Sequence, residues 1–316
     1  MLKQTLYFGN PAILSLRNKQ LLLRFPEIEK QPELKKLVNQ KGEITYHIPD
    51  LGMIILDHPQ ITITHALIEE LVKNNVIIVS CDEHHHPTAL MLALHSNTLQ
   101  NERYREQIAA SEPLKKQLWS QLVKQKILNQ ASVLKKRNPK ADYDFLHKQA
   151  QQVKSGDTTN REAVAANFYW TNLFPFIEKF VRHREGIPPN NLLNYGYAIL
   201  RACMARSIVE AGLLPTLGIH HHNRYNPYCL ADDLMEPYRP FIDDVVYDIV
   251  LKNSEITELT KQIKFDLLSI PYLDCELNGE TSPLQIATLR TARSLQHCFE
   301  GKHRKLLLPE FKNEKL

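Results

Sequence analysis

The sequence predicts an α+β protein: a small N-terminal β domain carrying one helix, followed by a larger all-α C-terminal domain. Short apolar runs separated by turn residues fill roughly the first eighty positions. Helical periodicity takes over from about residue 98 and persists to the end. A length of 316 residues is enough for two cores. The expected division is 1–85 for the β domain, 86–100 for a linker and 101–316 for a helical catalytic domain.

Strands are expected at Thr5–Phe8, Ala12–Leu16 and Gln20–Leu23, because Gly9-Asn10-Pro11 and Arg17-Asn18 between them are turn chemistry. From Gly42 to Ile48, Ile44, Tyr46 and Ile48 fall on one side of an extended chain. Met53–Leu56, Ile61–Ile63 and Val76–Ser80 read as further strands. Thr64 is a plausible N-cap for the single helix, where Leu67, Ile68, Leu71 and Val72 repeat at helical spacing.

In the second half, Leu114, Leu118, Leu122 and Ile127 to Leu134 form an apolar stripe with lysines on the other face, ended by Pro139. Tyr143–Val153 is a shorter helix. Gly156 supplies a turn, Thr158 or Thr159 is a candidate cap, and Glu162 stands at the start of the next helix. Pro188-Pro189 precedes a long helix over Asn191–Leu213. Phe241–Leu251, Glu255–Leu268 and Pro283–Phe299 complete the set.

Composition excludes several classes. Ten glycines, with neither GxGxxG nor GxxxxGK[ST], argue against a glycine-rich nucleotide loop. Five scattered cysteines without CxxC fit a reduced cytoplasm. MLKQTLYFGN lacks a basic-then-apolar leader, and no apolar run approaches the about 20 residues of a membrane helix. A soluble cytoplasmic protein with no membrane partner is expected. The net charge is +4, yet residues 101–150 alone hold eleven Lys/Arg against five Asp/Glu. That surplus is either a solvated helix face or a surface that tracks phosphates.

One stretch concentrates ligand chemistry: GIHHHNRYNPYCLADDLMEPYRP, residues 218–240. It offers His220, His221 and His222, then Asp232, Asp233 and Glu236. Asp233 and Glu236 are three apart, so a helical turn puts them on one face. Bland readings stand beside the functional one. The histidines pack after Gly218-Ile219 without metal, the aspartates cap the following helix, and Glu162 is a capping or surface glutamate. A second cluster, Cys81 to Pro87, is an exposed connection or a competing metal site. Taken together, a glutamate, an imidazole and further carboxylates suit Mg²⁺ or Mn²⁺ better than structural zinc, and the absence of HExxH disfavours a metalloprotease. Such an ion beside a basic surface points to phosphodiester chemistry.

Several strings carry a family resemblance: LGMIILDHPQITIT with VSCDE, REAVAANFYW, LNYGYAILR, GIHHHN and, most specifically, DLMEPYRP. The chain resembles the CRISPR-associated adaptation integrase (the "Cas one" endonuclease/integrase family) over nearly its whole length. With TARSLQHCFEGKHRKLLLP it is most similar to the type II branch. The resemblance implies a metal site of Glu162, His221 and Glu236, the histidine standing three residues after the glycine, with Asp233 beside it. It implies Mg²⁺- or Mn²⁺-dependent transesterification. The 3′-hydroxyl of a captured foreign DNA fragment (the protospacer) attacks a phosphodiester at the CRISPR repeat boundary, in antiviral defence. Cleavage of branched DNA uses the same centre. Homodimers around a small dimeric adaptation partner subunit, assisted by the type II effector nuclease, are the implied assembly. Lys135, Lys136, Arg137, Arg201 and Arg239 are the candidate contacts to double-stranded or branched DNA, although Arg239 equally suits orienting a carboxylate. Two other classes remain in view: a non-catalytic DNA-binding scaffold of the adaptation complex, and a metallohydrolase of small phosphate esters.

Overall fold

A computed structural model of the chain describes residues 2–26, 43–94, 97–183, 186–252 and 258–312. The chain divides into two compact units, Met1–Ser96 and Asn97–Leu316.

The first unit holds two four-stranded sheets. One runs β1 (Gln4–Phe8), β5 (Leu51–Leu56), β7 (Ile77–Cys81), β8 (Pro87–Met91), with β1, β5 and β7 parallel and β8 antiparallel. The other runs β4 (Glu43–His47), β3 (Gln20–Arg24), β2 (Ala12–Arg17), β6 (Ile61–Ile63). Asn18 and Lys19 both have positive φ, the geometry of a tight hairpin turn between β2 and β3. β5 is an interior strand between two parallel neighbours and is buried on both faces, so its apolar run shows no polar alternation. Helix α1 (His65–Lys73) seals the core by burying Leu67 and Leu71 against Leu14, Leu21, Ile48 and Ile54. Thr64 occupies the N-cap position, but its side chain makes no capping bond; its backbone carbonyl accepts from Leu67 and Ile68 instead. Gly42 and residues 253–257, where two expected elements begin, lie outside the described residues.

Residues 86–100, expected as a connection, contain β8 and end on the first residue of a helix. An edge strand tolerates Pro87 at its start, and its half-exposed sequence carries no alternation to reveal it.

The second unit contains helices α2 (Gln100–Ala109), α3 (Glu112–Arg137), α4 (Tyr143–Gln151), α5 (Arg161–Leu173), α6 (Asn190–Glu210), α7 (Cys229–Met235), α8 (Arg239–Lys252), α9 (Lys261–Leu267) and α10 (Leu284–Phe299). It is not all-α. Strands β9 (Asp274–Leu277) and β10 (Glu280–Pro283) form an antiparallel hairpin through Asn278-Gly279. Asn-Gly with positive φ at both residues is the preferred two-residue hairpin turn, so the signal was present in the sequence.

Helix α3 is the spine of this unit. Ser111 caps it by accepting from the Leu114 amide, and 26 residues run without a break. Its buried arc is wide, from Leu114, Leu118 and Trp119 to Ile127, Ala131 and Leu134. Buried Asn129 ties it to two other segments: its amide donates to the Pro237 and Pro309 carbonyls at 2.7 and 2.9 Å, and its oxygen accepts from the Phe311 amide at 3.1 Å.

Helix α5 is entered differently from the expectation. Neither Thr158 nor Thr159 caps it. Asn160 is left-handed, and the Asp157 carboxylate reaches over to accept from the Arg161 and Glu162 amides at 2.9 and 3.0 Å. This satisfies two of the free donors of the first turn and fixes the backbone that carries Glu162. Replacing Asp157 with Ala should lower stability by about 1–2 kcal/mol, read as a lower urea midpoint at unchanged slope; an unmoved midpoint would show that water caps the helix equally well.

Candidate active site

Three elements of the second unit bring the charged residues together. Glu162 comes from the first turn of α5. Glu236 opens a short 3-10 turn, Glu236–Tyr238, between α7 and α8. Between them stands Lys126 of α3. Its Nζ lies 2.6 Å from Glu162 Oε1 and 2.6 Å from Glu236 Oε2. The first contact is a hydrogen bond. The second is an equally short ion pair, through which the ammonium faces the buried Oε2 of Glu236.

Arg239 completes the cluster. Its Nε donates to Glu236 Oε1 at 2.9 Å, and its guanidinium lies 4.6 Å from the centre of the Tyr197 ring. Burial alone would raise the Glu236 carboxyl. The Arg239 guanidinium and Lys126 ammonium outweigh it and hold the group down at about 2. Burial likewise pulls the Lys126 amine down, and the two glutamates more than compensate. Further in, Tyr169 and Tyr197 hydroxyls donate to buried Asp243. Burial pushes Asp243 up to about 7 against those two donors. Lys126, Glu236, Arg239 and Asp243, with Trp170 and Arg182, line a cavity of about 230 Å³.

The histidines are placed by Asp233, which is fully buried at the end of α7. Its Oδ2 accepts from the Ile219 and His220 amides at 2.7 and 3.0 Å. Its Oδ1 accepts from the His221 amide at 3.2 Å and faces His221 Nδ1 at 2.6 Å. Only glycine fits at 218: an added Cβ would sit 2.4 Å from the His221 carbonyl and 2.8 Å from Asp233 Oδ2. The preceding loop is pinned by buried Gln107, which binds the Leu214 amide and the Leu214 and Leu217 carbonyls. Trp119 of α3 sorts the imidazoles. His220 stacks on it face to face at 4.0 Å, whereas His221 meets its edge at 5.6 Å. A carboxylate only accepts, so the neutral His221 ring carries its proton on Nδ1 and presents Nε2 as a lone pair. The hydrogen bond to Asp233 raises the His221 ring against the downward pull of burial, while burial lowers His220.

The structure thus gathers Glu162 and Glu236, and couples His221 to Asp233. It does not assemble His221 with the two glutamates into one ligand set: among the described residues no three His, Cys, Asp or Glu side chains are arranged to hold a metal ion. Two carboxylates facing one ammonium are the donor type that hard cations take. Asp232 is occupied by Arg201 at 2.7 Å and Asn226 at 2.6 Å.

The five basic candidates separate on their contacts. Arg239 orients Glu236. Arg201 is bound to Asp232. Arg137 clamps α3 to α8 by bonds to Asp244 and both oxygens of Asp248. Lys136 is exposed although it reaches Asp244 at 2.9 Å, and Lys135 is exposed over the Tyr143 ring. In the first unit, the Cys81–Pro87 cluster is a turn. Asp82 accepts from the His84 and His86 amides, and His85 Nδ1 meets Asp57 at 2.8 Å. The sequence reading passed over Lys126, which it counted with the basic face. A signal was available, because Lys126 follows Leu122 by four and Val123 by three, on the edge of the apolar stripe.

The raised His221 ring has a consequence for stability. Its contribution is complete below the ordinary value of 6.5 and is lost as pH rises through the higher folded value. In chelator, the gap in urea midpoint between wild type and His221→Asn should be larger at about pH 5.5 than at about pH 9. A gap that widens with rising pH would mean that the fold favours the neutral ring.

Residues 28–263 match the family model for the CRISPR associated protein Cas1. A CRISPR-associated endonuclease Cas1 of Neisseria meningitidis is 35% identical over 309 residues, which cover 97% of this chain and 96% of that protein. In fold the chain is similar to a casposase bound to integration product, with a TM-score of 0.77 and 20% identity over 100% of this chain and 96% of that one. It is also similar to a chain of a Cas6-RT-Cas1–Cas2 complex, with a TM-score of 0.74 and 17% identity over 98% of this chain and 36% of that one. At such identities these two likenesses concern the fold. The family match and the identity along almost the full length go further: the chain belongs to the CRISPR-associated protein Cas1 family.

Proposed function

We propose that this protein is a metal-dependent DNA integrase and endonuclease that inserts foreign DNA fragments into a CRISPR array. The observation that carries the reading is the pairing of Glu162 of α5 with Glu236 of the turn after α7 around the Lys126 ammonium. Glu162, Glu236 and the Nε2 of His221 would hold Mg²⁺ or Mn²⁺. Bound there, the ion supplies Lewis-acid polarisation of a phosphoryl oxygen and stabilises the leaving oxyanion. The chain's own residues prepare the site. Asp157 fixes the turn of Glu162, Arg239 orients Glu236, and Asp233 sets the His221 tautomer and ring direction. Arg182 and Arg239 in the neighbouring cavity supply positive charge to a phosphate.

DNA is the substrate that fits the relatives, one named an endonuclease and one solved with an integration product. In this reading a 3′-hydroxyl attacks a phosphodiester of the repeat, and branched DNA is cleaved at the same centre. A small adaptation partner subunit is proposed on the likeness to a complex that includes Cas2, and a homodimer on the family resemblance of the sequence. Assistance from a type II effector nuclease is proposed on the residues resembling that branch. Five free cysteines are consistent with work in a reducing cytoplasm. No described helix is long and apolar enough to cross a membrane.

Glu162→Ala and Glu236→Ala should each reduce Mn²⁺-dependent strand joining on a branched substrate by about a hundredfold or more while leaving DNA binding in place. The lysine between the carboxylates is the observation that favours a second reading, a non-catalytic scaffold. Wild-type joining rates in both variants would overturn the assignment of these two carboxylates, and no joining by the wild-type chain itself would establish the scaffold. For DNA contacts the informative pair is Lys135 and Lys136, since Arg137 holds helices together. Reversing both to Glu should weaken DNA binding and flatten its salt dependence by about one to two units of slope. A hydrolase of small phosphate esters would keep its activity in that variant.

A further inference from the structure

The position of Lys126 poses a problem of charge. Glu162 and Glu236 contribute two negative charges, and Lys126 and Arg239 contribute two positive ones, so the cluster is neutral as it stands. Glu236 and its ammonium partner lie out of solvent: the Glu236 side chain is 6% exposed and that of Lys126 12%. A divalent ion placed against the same two carboxylates would add two charges to a balanced, poorly solvated group. Unpaired charge in such surroundings is costly. The same space is also contested sterically, because Lys126 Nζ is already 2.6 Å from an oxygen of each glutamate. A hard cation needs those oxygens closer, at about 2.0–2.1 Å for Mg²⁺.

The surroundings offer the amine an alternative. Lys126 lines the cavity of about 230 Å³ that also presents the Asp243 carboxyl, with Trp170, Arg182 and Arg239 around it. A lysine side chain has a flexible four-carbon stem, so a change of rotamer moves its head without moving α3.

We infer that Lys126 is the resident cation of the carboxylate pair in the metal-free protein, and that divalent-ion binding exchanges its ammonium out from between Glu162 and Glu236 into the adjoining cavity. The inference rests on the metal-site reading given under Proposed function. It assigns Lys126 as a positioning residue with two stations. At the first it keeps two like charges facing each other while no ion is present. At the second its charge is offered to the cavity, next to the cluster it has left, where an anionic phosphate would meet it. The ion pair therefore sets the metal affinity of the site, because every ion bound must displace it.

The test is Mn²⁺ binding to the full-length chain without DNA, followed by titration calorimetry, so it does not depend on activity. Lys126→Met removes the competitor and should tighten the Mn²⁺ dissociation constant by at least tenfold. Its metal-free form should melt at lower temperature, with Mn²⁺ restoring the loss. Lys126→Arg keeps the charge and adds a fork that grips both carboxylates; it should fold and bind Mn²⁺ more weakly than wild type. If Lys126→Met does not fold, the direction of change in Lys126→Arg decides. Wild-type or weaker Mn²⁺ affinity in Lys126→Met, or wild-type affinity in Lys126→Arg, overturns the exchange if Glu162→Gln still abolishes binding. Mn²⁺ binding that survives both Glu162→Gln and Glu236→Gln overturns the metal-site reading itself.

Discussion

Two carboxylates brought together with little solvent around them need a shared proton or a cation between them, and in this protein the cation comes from α3. Lys126 joins Glu162 of α5 to Glu236 beyond α7. Removing one partner from such a buried group leaves an uncompensated charge, at a cost of about 3–5 kcal/mol. The rest of α3 is arranged to keep Lys126 where it is. Trp119 holds the histidine segment two turns away, Asn129 ties the turn after Glu236 and the C-terminal segment, and Arg137 clamps α8. One helix therefore carries the register of both halves of the site.

Asp233 plays the corresponding part for the imidazoles. A buried carboxylate demands donors, and it finds three backbone amides and one ring nitrogen within the segment 219–221. The segment is thereby bent around the side chain so tightly that position 218 has no room for a Cβ. The result is selective. His220 becomes a packing residue on Trp119, and His221 becomes the ring with a fixed tautomer. The triple histidine thus contains two different chemical environments in adjacent positions.

Several charges expected to reach outward turn inward. Arg137, Arg201 and Arg239 are all engaged with carboxylates, Arg137 through a two-pronged grip on Asp248 and the other two through Nε, because a charge-assisted bond in a half-buried place is stronger than one to water. The lysines of the same helix, with compact and strongly hydrated heads, stay at the surface at positions 135 and 136. Lys126 departs from that rule, and its departure marks the site.

Local patterns determined a good part of this protein. Periodicity located the strands of the first unit and most helices of the second, because one face of each element must be buried and the spacing of apolar residues records which. Residues 218–240 and Glu162 were legible as chemistry, because so many ligand-type side chains rarely share one stretch without a use. Family-specific strings such as DLMEPYRP then singled out His221, Asp233 and Glu236. What remained hidden depended on partners distant in sequence. The edge strand at Pro87–Met91 shows no alternation and is defined by its neighbour β7. Asp157 caps α5 only because Asn160 turns left-handed. Lys126 stands on the edge of an apolar stripe in the sequence, but the carboxylates it meets there are fixed only when α3, α5 and the Glu236 turn are packed together. Periodicity reports whether a residue is buried, but the sign of the charge it will face there is set by the tertiary arrangement alone.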